Sequence, residues 1–459
     1  MKKIIYIITI FAVTSTFVSC KKFLDTQPAN AVSDADPIFD LTSTQTALRG
    51  TYRALGNTGY YGESWVTLGF YPSGDIVNLT TGGASNLVTV NYRADDANFS
   101  TTWNAIYATI NRANNVISKV PGVSDPALTT VLKNQYIGEA KFIRALNYFD
   151  LVRGWGGVQL FLTPTTSLSN IPPTPRSSVQ DTYAQILHDL TDAEGLLTPG
   201  AAVNRIRVTQ ETVWALRARV HLYRQEWDLA EQYATKLITS PNYQLLAPFS
   251  SWFAGNVTGT KESIFELEFS AQNPSTIRAQ MQHPSRGGTY RYAPTPNIIS
   301  ILKNPAVSGG RRALIDSVTQ TGITQWFGNL YYRLPATDPA YILRIAEMYL
   351  IRAEARTQQG NLPGGLTDLN AVRTRAAVPV LTSTDVPDEA SLLLAIENEN
   401  RLEFFLEGHR WFDLARTGRA KAVLEPLNPG VHVDPWENIF PIPNLQIQID
   451  PNLTQNPGY

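Results

Sequence analysis

The chain has 459 residues, 43% of them hydrophobic and 17% charged, with a formal net charge of -1. That length is ample for a large core and more than one sub-domain. A balance so near neutral argues against a nucleic-acid partner, which needs a basic excess to meet phosphates.

Residues 1–19 read as a signal peptide. Met1-Lys2-Lys3 is basic, residues 4–18 are almost wholly apolar, and Ser19 is a small residue set before Cys20. Cationic, apolar, small, then cysteine is the order that marks a secreted lipoprotein, with Cys20 as the acylated (palmitate-bearing) anchor. The apolar run is short for a membrane span. An ordinary signal peptide followed by an inert cysteine is the alternative. Cys20 is the only cysteine, so acylation leaves none for a disulfide or a thiol nucleophile.

Helical periodicity dominates the chain beyond the leader. Residues 101–120 place Trp103, Ile106, Tyr107, Ile110, Ala113, Val116 and Ile117 on one stripe, ended by Pro121-Gly122. Residues 132–153 repeat the pattern before the breaker Gly154-Trp155-Gly156-Gly157. Further helical segments are expected over 179–197, 209–238, 341–376 and 392–416. Long Gly-, Pro-, Asn- and Thr-rich stretches lie between them at 56–98, 163–178 and 244–339, and loops of that length are usually functional. A short strand is expected at 264–269, where Phe265, Leu267 and Phe269 alternate with Glu266 and Glu268.

Two helical segments are related. Ala218, Val220, Trp227, Ala230 and Ala234 share their spacing with Ala353, Ala355, Leu362, Gly365 and Leu369. Small residues at such positions let antiparallel helices approach closely, as in tetratricopeptide repeats, although generic helical hairpins are the alternative. The fold expected is mainly α: interrupted tetratricopeptide-like helix pairs in an α/α superhelix, with long irregular loops and a few short strands.

Catalytic motifs are scarce. No Gly-x-Ser-x-Gly elbow, phosphate loop or His-Glu-x-x-His pattern occurs, and none of His188, His221, His283, His409 and His432 has another at metal-ligand spacing. No metal or cofactor is expected, although Asp95 and Asp96 are loop carboxylates of a kind that can hold Ca²⁺. Glu266 and Glu268 are the best carboxylate pair for glycoside hydrolysis, but the bland reading is two solvated groups on the open side of a strand. His409, beside Arg410, reads as a structural hydrogen-bonding residue.

Binding is better supported than catalysis. Sugars offer apolar C–H faces and polar rims, so their sites combine flat aromatic rings with Asn, Asp or Arg. Three loops hold that mixture: Trp65 and Tyr71 beside Asp75; Tyr290 and Tyr292 around Arg291; Trp326 and Tyr331 around Asn329. Rings set among turn formers are more exposed than those in helices, though many anchor loops onto the body. Trp326 and Tyr71 are the leading candidates for a presented ring face.

Three segments together resemble the SusD/RagB family of surface lipoproteins. They are residues 138–153, with Glu139, Phe142, Arg144, Tyr148 and Asp150; residues 399–416, with Glu403, Glu407-Gly408-His409-Arg410-Trp411 and Asp413; and Phe440-Pro441-Ile442-Pro443 with Gln455-Asn456-Pro457-Gly458-Tyr459. Cys20-Lys21-Lys22-Phe23-Leu24-Asp25 is similar to the family's mature start. In the signature segments Leu402, Phe405, Leu406, Trp411 and Leu414 read as core, with Glu403, Glu407, Arg410, Asp413 and Arg416 spaced to pair.

The resemblance implies an N-terminal SusD-like region over 20–240 and a C-terminal RagB/SusD region over 241–459. It implies a non-catalytic protein, lipid-anchored at the outer membrane and facing outward. Such a protein captures an oligosaccharide or glycan and delivers it to a SusC-like TonB-dependent transporter, for which it serves as lid. Peptide capture is one alternative; a surface glycoside hydrolase using Glu266 and Glu268, or a purely structural scaffold, are alternatives of other classes.

Overall fold

The computed structural model describes residues 38–80, 84–165, 174–427 and 430–459. The leader, Cys20 and residues 21–25 lie outside the described residues. The body is helical: α1 (Leu41–Leu55), α2 (Ser64–Phe70), α3 (Ala97–Lys119), α4 (Thr130–Trp155), α5 (Val179–Leu196), α6 (Gln210–Tyr223), α7 (Trp227–Ile238), α8 (Ile345–Gln358), α9 (Leu362–Arg375), α10 (Glu389–Glu403) and α11 (Arg410–Arg416).

The helices form where the sequence supplies caps and stripes. Asp96 caps α3 by accepting from the Asn98 N–H, and the buried face carries Phe99, Trp103, Ile106, Ile110, Ala113 and Val116. Thr129 caps α4, and Gly156 ends it at φ +76°, a left-handed conformation that costs glycine little. From Gly138 to Trp155 nearly every side chain of α4 is buried, which marks a central helix rather than an amphipathic surface one. α5 runs antiparallel to it: Gly138 admits Leu197, Arg144 grips Asp189 at 2.6 and 2.8 Å, and Phe149 meets Tyr183.

The two related helical units are neighbours in space. α6 and α7 form one hairpin, α8 and α9 the next, and α7 lies against α8 through Arg356 to Glu231 (2.7 Å) and Arg352 to Thr235 (3.2 Å). Ala230, Ala234, Ala353, Ala355 and Leu369 are fully buried. A Cβ on Gly365 would lie 2.3 Å from the Thr357 hydroxyl oxygen and 2.9 Å from the Ala353 carbonyl oxygen. The repeat is interrupted only along the chain, because residues 239–344 leave the stack and return to it.

That excursion carries the strands. β1 (Ile76–Asn78) pairs antiparallel with β3 (Tyr292–Pro294), β2 (Ser263–Leu267) with β6 (Ala340–Arg344), and β4 (Ile315–Gln320) with β5 (Ile323–Gly328). The β4–β5 hairpin turns on Thr321 and Gly322, both at positive φ, the two-residue geometry that matches strand twist. Helical periodicity extends the α8 segment back to Tyr341. Residues 340–344 are strand instead, and Tyr341-Ile342-Leu343 is buried on both faces, so no alternation marks it. Residues 392–416 likewise split into α10 and α11, because Leu406 and Gly408 take φ of +75° and +77° between them.

The apolar core runs continuously from Leu55 to Leu453 and draws on residues either side of position 240. The C-terminal segment closes it. Trp155 Nε1 donates to the Pro441 carbonyl at 3.0 Å, and the Asn456 amide donates to the carbonyls of Trp155 and Phe440.

Candidate functional site

The first aromatic loop is mostly packing. Trp65, on α2, is 2% exposed; it stacks on Phe412 at 4.7 Å with Arg153 over its ring. Tyr60 and Tyr61 both donate to Asp150 Oδ2. Tyr71 is buried edge-on against Tyr292 at 5.2 Å, and burial raises its hydroxyl pKa. Tyr292 in turn donates to Glu63 at 2.5 Å. Asp75, 2% exposed, accepts from Arg401 Nε at 3.0 and 3.1 Å and faces Arg410 at 3.3 Å. Tyr331, in the third loop, is also 2% exposed.

The turn formers that flank these rings predict outward-facing side chains. Trp65, Tyr71, Tyr292 and Tyr331 turn inward instead, and Asp75 is consumed by two arginines. Their partners are far away in sequence, so no local periodicity announces the burial.

The surface part of the site is smaller. β1–β3 pairing sets Asn78 opposite Tyr292, and the Leu79 N–H donates to the Arg291 carbonyl, so the first two loops meet edge to edge. The Tyr290 hydroxyl donates to the Trp326 carbonyl at 3.0 Å and ties the second loop to the third. Tyr290, Arg291 and Trp326 are all half-buried. Six of the eight residues singled out (Tyr71, Asp75, Tyr290, Arg291, Tyr292 and Trp326) thus come to one region. Trp65 belongs to the core beneath the helical body, and Tyr331 is sealed against Gln282 through its carbonyl.

Two residues that sequence reasoning passed over sit at Trp326. Lys303 Nζ lies 5.3 Å and Arg312 Cζ 4.8 Å from its ring centre, within cation–π range. Lys303 ends the helix Pro296–Lys303, and Arg312 lies in the turn Gly309–Leu314 before β4. Charge counted along the loop, rather than aromatic spacing, was the signal that could have found them.

The remaining candidates divide. β2 is covered on both faces, so Glu266 is wholly buried rather than solvated; it accepts from the Gly259 N–H at 2.6 Å, and burial raises its pKa. Glu268 lies past the strand end, outside the buried strand, beside a pocket of about 250 Å³ with Phe269 and Arg333. The two carboxylates do not share an open strand face. His409 stacks on Phe404 at 4.5 Å; burial, with Arg219, Arg153 and Arg344 nearby, holds its pKa well below the usual histidine range. Asp95 pairs with Arg93, and Asp96 is the α3 cap. His188, Asp189 and Asp192 approach one another, but Asp189 is already held by Arg144 and Lys141.

A larger cleft, of about 620 Å³, opens on the helical body and is lined by Tyr223, Trp227, Leu393, Glu397 and Arg416 among others. Its charges satisfy each other: Arg416 meets Glu354 at 2.6 Å and Asp413 at 3.0 Å, and Arg419 meets Glu397 at 2.5 Å. The loop face differs in leaving cations beside a half-exposed ring.

Residues 331–459 match the family model described as "SusD family", and residues 22–222 match that described as "Starch-binding associating with outer membrane". The chain is similar to SusD-like protein P38 of Formosa agariphila, 26% identical over 96% of each chain. A SusD superfamily protein from Bacteroides vulgatus superposes with a TM-score of 0.81 at 22% identity, covering 91% of this chain and 99% of its own. A laminarin-binding SusD-like protein superposes with a TM-score of 0.76 at 23% identity, covering 92% and 100%. With both family models matched in order and the fold shared along nine-tenths of its length, the chain belongs to the SusD/RagB family.

Proposed function

We propose that this chain binds an oligosaccharide on its loop face and passes it, uncleaved, to a SusC-like TonB-dependent transporter whose lid it forms. The reading places it at the outer membrane, facing outward and held by lipid on Cys20. The observation that carries it is the convergence of three loops around Trp326: β1–β3 pairing and the Tyr290–Trp326 bond bring a half-exposed ring and polar side chains from distant segments to one face. The description of the family model over residues 22–222, and the laminarin named for one structural neighbour, agree with a carbohydrate ligand. Affinity need only be modest, since anchoring two components in one membrane raises their effective concentration.

Titration calorimetry with a panel of polysaccharides and mixed oligopeptides tests this reading. A polysaccharide is expected to bind, and Trp326→Ala to weaken it. Binding of peptides alone would favour peptide capture, and cleavage of the sugar chain by the wild-type protein would overturn the non-catalytic reading. Cys20→Ala is expected to free the protein from membranes with ligand binding intact.

A further inference from the structure

Between Glu268 and Asp338 the sequence carries seven Arg and Lys residues against one acid, Asp316, in a chain whose net charge is -1. Four of the seven have structural work. Arg278 donates to the carbonyls of Tyr332 and Arg286; Arg286 pairs with Asp316 at 2.8 Å; Arg311 is buried with Glu399 and Glu403; Arg333 faces Asp338. The other three are Arg291, Lys303 and Arg312, the cations of the loop face. None of them meets a carboxylate among the described residues. Among the described residues, Arg312 donates to the Ile315 carbonyl and lies over the Trp326 ring, and Lys303 lies over the same ring. Arg291 lies over Tyr292 at 5.9 Å, and its Nε is buried without a partner.

Acids near this face are already occupied. Asp316 holds Arg286, Asp75 holds Arg401, and Glu63 accepts from Tyr292 and Thr276. Neutral sugar hydroxyls are served by Asn, Asp or Arg alike and call for no net charge. This face offers uncompensated positive charge instead, and the helix terminus at Lys303 supplies only a partial counter-charge. We infer that the loop face is built for an acidic glycan, its carboxylate or sulfate groups lying against Arg291, Lys303 and Arg312 while a sugar face rests by Trp326. The inference rests on the reading of this face as a glycan site, and it specifies the charge of the ligand.

The test uses the purified protein with laminarin and soluble starch as neutral polymers, polygalacturonate as a carboxylated one and carrageenan as a sulfated one. One acidic class is expected to bind about tenfold or more tightly than either neutral polymer at low salt. Raising ionic strength from roughly 0.05 to 0.5 M should shrink that advantage, because exposed charges are screened. The double substitution Lys303→Gln with Arg312→Gln should remove the preference while leaving the melting temperature in place. The polymer that responds separates uronate from sulfate recognition. Neutral binding of equal strength, insensitive to the double substitution, would overturn the inference and leave the glycan site standing. Acidic binding that ignores the substitution would move the anion elsewhere and also overturn it. Binding of no polymer would remove both readings.

Discussion

Gly69 and Gly408 approach so closely that a Cβ on Gly69 would lie 2.1 Å from the Gly408 carbonyl oxygen and 2.7 Å from its Cα. The end of α2 is thereby pressed, backbone to backbone, onto the turn between α10 and α11. The contact sets Trp65 against Phe412 and brings Asp75 to Arg401. No flexible side chain can yield, so Gly69→Ala must separate two backbones. Overpacking of this kind costs about 1–3 kcal/mol and occasionally more. Urea unfolding of the variant should show the loss, and a midpoint equal to wild type would mean that the two segments part freely.

The aromatic rings of the loops divide into packing and surface groups, and the division is measurable. Trp65→Ala removes a buried, stacked indole and should cost about 3–5 kcal/mol. Trp326→Ala removes a half-exposed ring on a hairpin and should change stability by about 1 kcal/mol or less, with the larger effect on ligand affinity. Thermal melts of the two variants side by side check this. Equal destabilisation would place Trp326 among the packing groups.

Asp75 reads from the sequence as a polar partner for ligand, and in the fold it joins the first loop to α10. Removing its charge leaves Arg401 and Arg410 facing an amide in a largely closed environment. Asp75→Asn should therefore cost about 3 kcal/mol, the scale of a broken buried pair, with ligand affinity unchanged in the fraction that remains folded. Stability and calorimetric titration of one variant preparation separate the two roles.

How much of the fold is legible in the sequence depends on where each element finds its partners. The pairs α6–α7 and α8–α9 announce themselves through small residues at matching positions, since each hairpin buries its face locally. α1 escapes notice because its inward positions are Thr44, Leu48, Thr51 and Leu55. The threonines bury there by donating to the carbonyls of Asp40 and Ala47, so the helical spacing is present but the apolar signal is halved. The β4–β5 hairpin is hidden for a related reason: its strands face solvent along much of their length, and a Thr-Gly turn is a weak signal. In the site, convergence of three loops cannot be read, because Asn78 finds Tyr292 and Tyr290 finds Trp326 only through long-range pairing. The excess of cations around them is in plain view.

The buried network around Arg344 predicts the dependence of stability on pH. Arg344 meets Glu407 at 2.7 Å, Glu403 at 3.0 Å and Glu262 at 3.1 Å. Glu403 also meets Arg311 and Arg375. Burial alone would raise its pKa, but the three guanidiniums together bring it down to about 2. Glu407 has Arg344 alone, a cation shared three ways, and burial pushes it up to about 7. The signs are opposite. Between about pH 2 and 4.5 the unfolded chain holds a proton that native Glu403 has released, so this group adds stability as pH rises and loses it as pH falls. Between about 4.5 and 7 native Glu407 holds a proton that the unfolded chain has released, so its contribution is present at the acidic end and fades as pH rises. Each slope is at most about 1.4 kcal/mol per pH unit. Glu407→Gln imitates the protonated acid. Its unfolding free energy in urea should match wild type near pH 4.5 and exceed it increasingly up to about pH 7, by about 3 kcal/mol at the end of that window. Curves that stay parallel across that window would show that Glu407 is already ionised in the fold at pH 4.5, with Arg344 outweighing the burial.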